Sequence, residues 1–163
     1  MRLIFGIAVV VLLTGCAPKE ASVEIPTPSE ELSEYKKLQT PLPGRAIKPS
    51  LTEFLVYPER FHKKRIILEG HWKYHFESSL LYLDSDVQDF RIWVDWLPKP
   101  MMDEDPERCT ELLQLMLDAN WNVRVEGEGS FYFSEDPKYG HLGVAHAFFL
   151  IDRLFTAEPV PEN

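Results

Sequence analysis

Residues 65–76 alternate between apolar and polar side chains, and this run constrains the fold more than any other feature of the chain. Ile66, Leu68, Trp72, Tyr74 and Phe76 fall on one side, with Gly70 among them. Ile67, Glu69, His71, Lys73 and His75 fall on the other. Successive side chains of a strand point to opposite faces of a sheet, so a period of two predicts a long, half-buried strand. A strand much longer than the usual five or six residues or so has to coil, and Gly70 marks a bend or bulge within it.

The rest of the chain supplies partners for that strand. A short strand is expected over residues 80–84, with a turn at Asp84-Ser85-Asp86. A third, over 90–96, has Phe90, Ile92, Val94 and Trp96 on one face and ends at Pro98 and Pro100. Asp105-Pro106-Glu107 then reads as a helix start: a capping carboxylate, a proline in the first turn and negative charge at the positive end of the dipole. Cys109, Leu112, Leu113, Met116 and Leu117 follow at helical spacing. A fourth strand, 122–133, carries Val123, Val125, Phe131 and Phe133 on one face with Gly127 and Gly129 between. A loop with Pro137, Gly140 and Gly143 leads to a fifth, 144–154. Ahead of everything, Ser50-Leu51-Thr52-Glu53 is a capping-box pattern whose short helix must stop before Pro58.

The fold class is therefore mainly β with one or two helices: three strands, a helix, two strands. This order resembles the OB-fold, a small five-stranded Greek-key barrel, with its helix between strands three and four. The resemblance implies an antiparallel barrel over residues 65–154, inside a globular domain of 50–156, with 157–163 as a flexible tail. The competing topology is an open antiparallel sheet with one helix on its face. A fold of this kind implies no particular function.

The N-terminus carries different information. Met1-Arg2 places one positive charge before an apolar run, 3–13, that is shorter than the roughly 20 residues a membrane-spanning helix needs. Such a run behind a basic start reads as a secretory leader. It ends Leu13-Thr14-Gly15-Cys16, which resembles the lipobox of bacterial lipoproteins. The resemblance implies removal of a signal peptide, 1–15, acylation of Cys16 (diacylglycerol on the sulfur, a fatty acid such as palmitate on the new amine) and attachment to the cell envelope. With Ala17 rather than Asp next, it further implies the outer membrane, facing the periplasm. Several acyl chains hold a protein on a membrane stably where one does not. Residues 17–49 contain Pro18, Pro26, Pro28, Pro41, Pro43 and Pro49 among polar residues. A stretch of that composition buries too little apolar surface to offset chain ordering. Residues 16–49 are thus expected as a lipidated cysteine and a tether, with a transient helix over 29–35.

Charge and chemistry narrow the function. The chain has 26 Asp plus Glu against 17 Lys plus Arg, a net charge of -9, which argues against nucleic-acid partners because phosphate neutralisation dominates that affinity. With Cys16 acylated, Cys109 is the remaining cysteine of two. It lies on the apolar stripe of its helix and is expected as a small buried hydrophobe. His71 and His75, four apart on a strand, stand roughly 13 Å apart, too far to share a metal, and His141 and His146 complete no ligand pattern. Asp84, Asp86 and Asp89 lack the glycine and terminal Glu of a calcium loop. Asp103-Glu104-Asp105 is explained by the helix dipole. Ser130 and Ser134 sit in no nucleophile elbow, and Gly127-Glu128-Gly129 lacks the third glycine of a dinucleotide loop. No metal, cofactor or catalytic set is expected, and His62-Lys63-Lys64-Arg65 reads as a solvated basic turn.

The functional hint is aromatic. Trp93 faces outward on the third strand, with Arg91 and Asp95 on the same face. OB-folds bind oligonucleotides or oligosaccharides on this side, using stacked aromatic rings. The three residues are candidate ligand contacts for a glycan or peptide, unless Trp93 is covered by the Ser50 helix, which must bury Leu51, Phe54 and Leu55 and is the favoured reading. The expected function is a non-enzymatic, membrane-anchored binding or adaptor module for an envelope protein, peptide or glycan. The alternatives are a structural accessory subunit, docking through a flat apolar patch at a sheet edge or on the twin apolar faces of 145–151, and an enzyme on envelope material.

Overall fold

The structure, a computed structural model, describes residues 36–75, 78–83, 90–140 and 143–161. The leader, Cys16, the tether through residue 35, Phe76, the turn at 84–86 with Asp89, His141 and the last two residues lie outside the described residues. The elements run α1 (Leu51–Val56), a 3-10 turn (Pro58–Phe61), β1 (Lys64–His75), β2 (Ser78–Tyr82), β3 (Ile92–Trp96), α2 (Lys99–Glu104), α3 (Pro106–Asp118), β4 (Asn122–Phe133) and β5 (Ala147–Pro159). Among the described residues no helix is long and apolar enough to cross a membrane.

The protein is mainly β, with five strands in one mixed sheet. The strand order is β1-β2-β3-β5-β4, and β4 pairs back with β1, closing the sheet on itself. The expectation of an all-antiparallel sheet is corrected here. β3 and β5 run parallel, from Ile92 beside Ala147 to Trp96 beside Ile151. Parity supplies the reason: neighbours in an antiparallel ring alternate direction, and five strands cannot alternate all the way round. The parallel pair needs a long crossover, which α2, α3 and β4 provide.

Local chemistry explains the elements. Ser50 Oγ accepts the Glu53 N–H at 3.2 Å and so caps α1; Asp105 Oδ1 accepts the Arg108 N–H at 3.0 Å and caps α3. The inward side chains of β1 (Ile66, Leu68, Trp72) meet Val94, Val123, Val125, Phe131, Phe149 and Ile151 in one core, which Cys109, Leu112 and Met116 of α3 join. Trp72 Nε1 donates to Ser79 Oγ at 3.1 Å, and that hydroxyl donates to the Val94 carbonyl at 2.5 Å, so the buried indole is satisfied. In β4 the register shifts at Glu126/Gly127 and again at Glu128/Gly129. A Cβ on Gly129 would lie 2.0 Å from the Leu150 carbonyl oxygen, so the strand coils where only glycine lets the backbones approach.

Three boundaries differ from expectation. β5 continues to Pro159, with Ala157 buried and opposite Val125, because β4 is long enough to keep pairing it; residues 157–159 are strand, not tail. Pro98 and Pro100 do not merely end β3. They open α2, a first turn being where a missing N–H costs nothing. The third concerns residues 36–49, expected as free tether, which lie on the barrel. Leu38 and Leu42 pack on a second apolar cluster of Leu80, Tyr132, Tyr139, Phe148 and Leu150. Farther along, Ile47 N–H donates to the Arg65 carbonyl at 3.1 Å, and Ile67 N–H donates to the Ile47 carbonyl at 2.9 Å. The cause is in β5: residues 147–152 are buried on both faces, so the outer face needs a cover.

Candidate functional site

The residues singled out on β3 meet different environments. Arg91 is exposed just before the strand, while Trp93 and Asp95 are half-buried. Asp95 Oδ2 accepts a hydrogen bond from Gln39 Nε2 at 2.8 Å. Trp93 is covered, but not by α1. Gly140, at φ +78°, lies against the indole so closely that a Cβ there would sit 2.0 Å from Cε3, and Trp93 packs in the cluster that holds Leu38 and Leu42. α1 covers the barrel's end instead. Its Phe54 is 5.6 Å from Phe61 and 4.9 Å from Phe131, ring centre to ring centre, and Leu51 stays 41% exposed.

A largely buried ion cluster is built on Arg65, the last residue of the basic stretch whose Lys63 and Lys64 are exposed. Arg65 forks onto Asp152, with Nη1 to Oδ2 at 2.6 Å and Nη2 to Oδ1 at 2.7 Å. Glu128 Oε1 accepts from Nη2 at 2.6 Å and from Nε at 3.1 Å, and the Leu42 carbonyl accepts from Nη1 at 3.1 Å. Hydrogen bonding to Asp152, outweighing the burial that opposes it, holds the guanidinium pKa above its usual range, with Glu128 adding to the effect. These groups line a cavity of about 340 Å³ with Glu104 and Arg153, which form an ion pair of their own. The signal that could have revealed the cluster is Asp152, a lone carboxylate closing the apolar run 147–151.

A third region lies where the β1–β2 hairpin overshoots the barrel. Tyr74, expected inside, is 47% exposed, and Tyr82 is 43% exposed. Trp121 stands 5.7 Å from Trp72 and 5.6 Å from Tyr74. Asn120 and Trp121 both adopt left-handed backbone, at φ 49° and 57°. This conformation costs on the order of 1 kcal/mol or more for such residues and persists only where surroundings enforce it. Here Tyr74 N–H donates to the Trp121 carbonyl at 3.1 Å. On the opposite face His71 is bonded to Asn122 Oδ1 at 2.6 Å and lies 6.3 Å from the Tyr82 ring. The result is an aromatic edge with exposed hydroxyl-bearing rings on both faces of one hairpin.

Reactive groups are dispersed. Among the described residues no three His, Cys, Asp or Glu side chains are grouped to hold a metal ion. Cys109 is a free, buried thiol whose pKa burial raises. A wide groove of about 1030 Å³ runs along the outer flank of α3 past Glu107, Glu111 and Asp118; Glu111 and Asp118 there engage Arg108 and Gln114 of their own helix. No protein-family model, curated protein or solved structure matches the chain.

Proposed function

We propose that this chain is a lipoprotein anchored in the cell envelope through acylated Cys16, whose OB-like barrel acts as a non-enzymatic binding or adaptor module for a protein, peptide or glycan. Two features support the anchor and the fold: the Leu13-Thr14-Gly15-Cys16 sequence, and the order of three strands, helix and two strands in a ring that closes on itself. The observation that carries the binding role is the aromatic edge. Tyr and Trp rings that expose an apolar body with a polar handle are the side chains most used at interfaces; Tyr74, packed on half-buried Trp121, presents one on one face of the hairpin, and Tyr82 presents another on the opposite face. The accessory-subunit reading is less favoured. It would dock through an apolar patch at a sheet edge or on residues 145–151, and of these places the second is occupied: Ala145, Ala147, Phe148, Phe149, Leu150 and Ile151 are buried by this chain's own segments.

The test separates anchor from partner. An alkyne fatty acid fed to cells should label the wild-type protein and not Cys16→Ala, and the label should sediment with the outer membrane. A photo-crosslinking residue at position 82 should then capture one partner or a sugar-bearing polymer, whereas the same residue at Glu59 should not. An unlabelled, freely soluble wild-type protein defeats the anchor. Equal capture at both positions defeats the aromatic edge.

A further inference from the structure

Residues 36–49 form a strap that follows one transverse row of the barrel. Asp95, Leu150, Ser130 and Arg65 stand in register across β3, β5, β4 and β1. The strap meets that row in order. Gln39 Nε2 donates to Asp95, Leu42 N–H donates to Ser130 Oγ at 2.7 Å, and Arg65 Nη1 donates to the Leu42 carbonyl. Leu38 and Leu42 fill the apolar ground between these polar contacts. Both backbone groups of Leu42 are therefore held by barrel side chains while its own side chain is pocketed. Receptors hold extended peptides by the same division of labour, with main-chain bonds for affinity and side-chain pockets for specificity.

The receiving surface is made of barrel residues that the strap covers. With the strap seated, Ser130 is fully buried, Asp152 is 5% exposed, and Leu80, Tyr132, Phe148 and Leu150 are buried. Arg65 is fixed by Glu128 on the neighbouring β4 and by Asp152 on β5 beyond it. The strap, in contrast, is half-buried at Leu38, Gln39 and Leu42, leaves Ile47 45% exposed, and contributes nothing to the interior core.

We propose that the outer face of β3, β5 and β4 is a peptide-binding groove, and that residues 38–42 are its resident occupant in cis. Its ligand class is a peptide with two apolar side chains four residues apart, a carboxamide beside the first, and an extended backbone at the second. Any such peptide in trans competes with the strap, so the groove is self-guarded. This site is distinct from the aromatic edge and depends neither on that edge nor on lipidation.

The test uses detergent-solubilised full-length protein and a fluorescein-labelled synthetic peptide of residues 36–48, followed by fluorescence anisotropy. The strap-disabled variant Leu38→Asp/Leu42→Asp should bind the peptide saturably and at least tenfold more tightly than wild type does. A peptide carrying the same two substitutions should not bind, and adding Ser130→Ala to the variant should weaken binding severalfold. A variant with the wild-type near-ultraviolet dichroism that shows no saturable binding, or binds both peptides alike, overturns the proposal. If the variant does not fold, hydrogen exchange on wild type decides. The Leu42 amide should exchange at least a hundredfold faster than the Phe131 amide, through local opening; equal protection makes the strap part of the cooperative fold and removes the proposal.

Discussion

Arg65 grips Asp152 with both terminal nitrogens of its guanidinium, at 2.6 and 2.7 Å, across the barrel wall from β1 to β5. With Glu128 and the Leu42 carbonyl, every N–H of that guanidinium has an acceptor. The side chains of Arg65 and Asp152 are only 13% and 6% exposed, so the fork is held largely away from water.

Removing one partner of such a pair leaves an uncompensated buried charge, which costs about 3–5 kcal/mol. Asp152→Ala should fall at the lower end, because Glu128 still faces Arg65. The double variant Arg65→Met/Asp152→Ala should lose less than the sum of the two single changes. Urea unfolding of the four proteins reads this directly, and a cost below about 1 kcal/mol for Asp152→Ala would show that the site is solvated.

His62 sets a pH dependence. Its Nδ1 accepts the Phe133 N–H at 3.0 Å. Burial lowers the ring's pKa below 6.5, and the neighbouring charges of Lys63 and Lys138 lower it further. A folded-state value below the unfolded one means that the unfolded chain binds the proton more readily, so stability rises with pH across that interval. The contribution of His62 is fully present above about pH 6.5 and is lost as pH falls through the folded value. His62→Asn keeps an acceptor for Phe133 without the titration. Its unfolding free energy should lose the part of the pH slope due to His62 between pH 7.5 and 5; parallel curves for the two proteins would remove this role.

Much of the barrel was legible because its signals are local. The alternation in β1, the capping residues Ser50 and Asp105, the apolar stripe through Cys109 and the paired glycines of β4 each determine their own element from neighbouring residues. The strap was not legible, since Pro41, Pro43 and Pro49 make it look like a tether whatever it touches; only the double-sided burial of 147–152, a property of distant pairings, calls for its docking. The site residues divide the same way. Trp93 was correctly placed on the outer face, but its cover is Gly140 and the strap, contacts 47 and more residues away in sequence. Arg65 looked like the end of a basic turn because Glu128 and Asp152 reach it only through the sheet register.

Cys109 tests the core from another side. Burial raises its thiol pKa and Asp105 adds to the effect, so the thiolate that would attack a disulfide reagent is suppressed. Its Sγ lies 3.8 Å from the Pro98 carbonyl. Reaction with a chromogenic disulfide should proceed only through opening of α3, at least about a thousandfold more slowly than in denaturant. A rate in the native protein near that of a free thiol would mean that α3 does not pack as described.

Three glycines separate backbone strain from crowding. Gly44, at φ +111°, has nothing within 4 Å of where a Cβ would stand, so Gly44→Ala should cost only the backbone penalty, about 1–2 kcal/mol. Gly129 is the converse: its added Cβ would meet the Leu150 carbonyl oxygen at 2.0 Å, and the backbone of a closed sheet cannot retreat, so Gly129→Ala should cost about 3 kcal/mol or more. Gly140 combines a φ of +78° with contact at 2.0 Å, but against a side chain. Gly140→Ala should therefore cost an intermediate amount and displace one ring, Trp93. With 5-fluorotryptophan at the four tryptophans, the fluorine resonance of Trp93 should shift in Gly140→Ala while those of Trp72, Trp96 and Trp121 hold. If all four move together, the loop does not act on Trp93 alone, and the account of what covers this face fails.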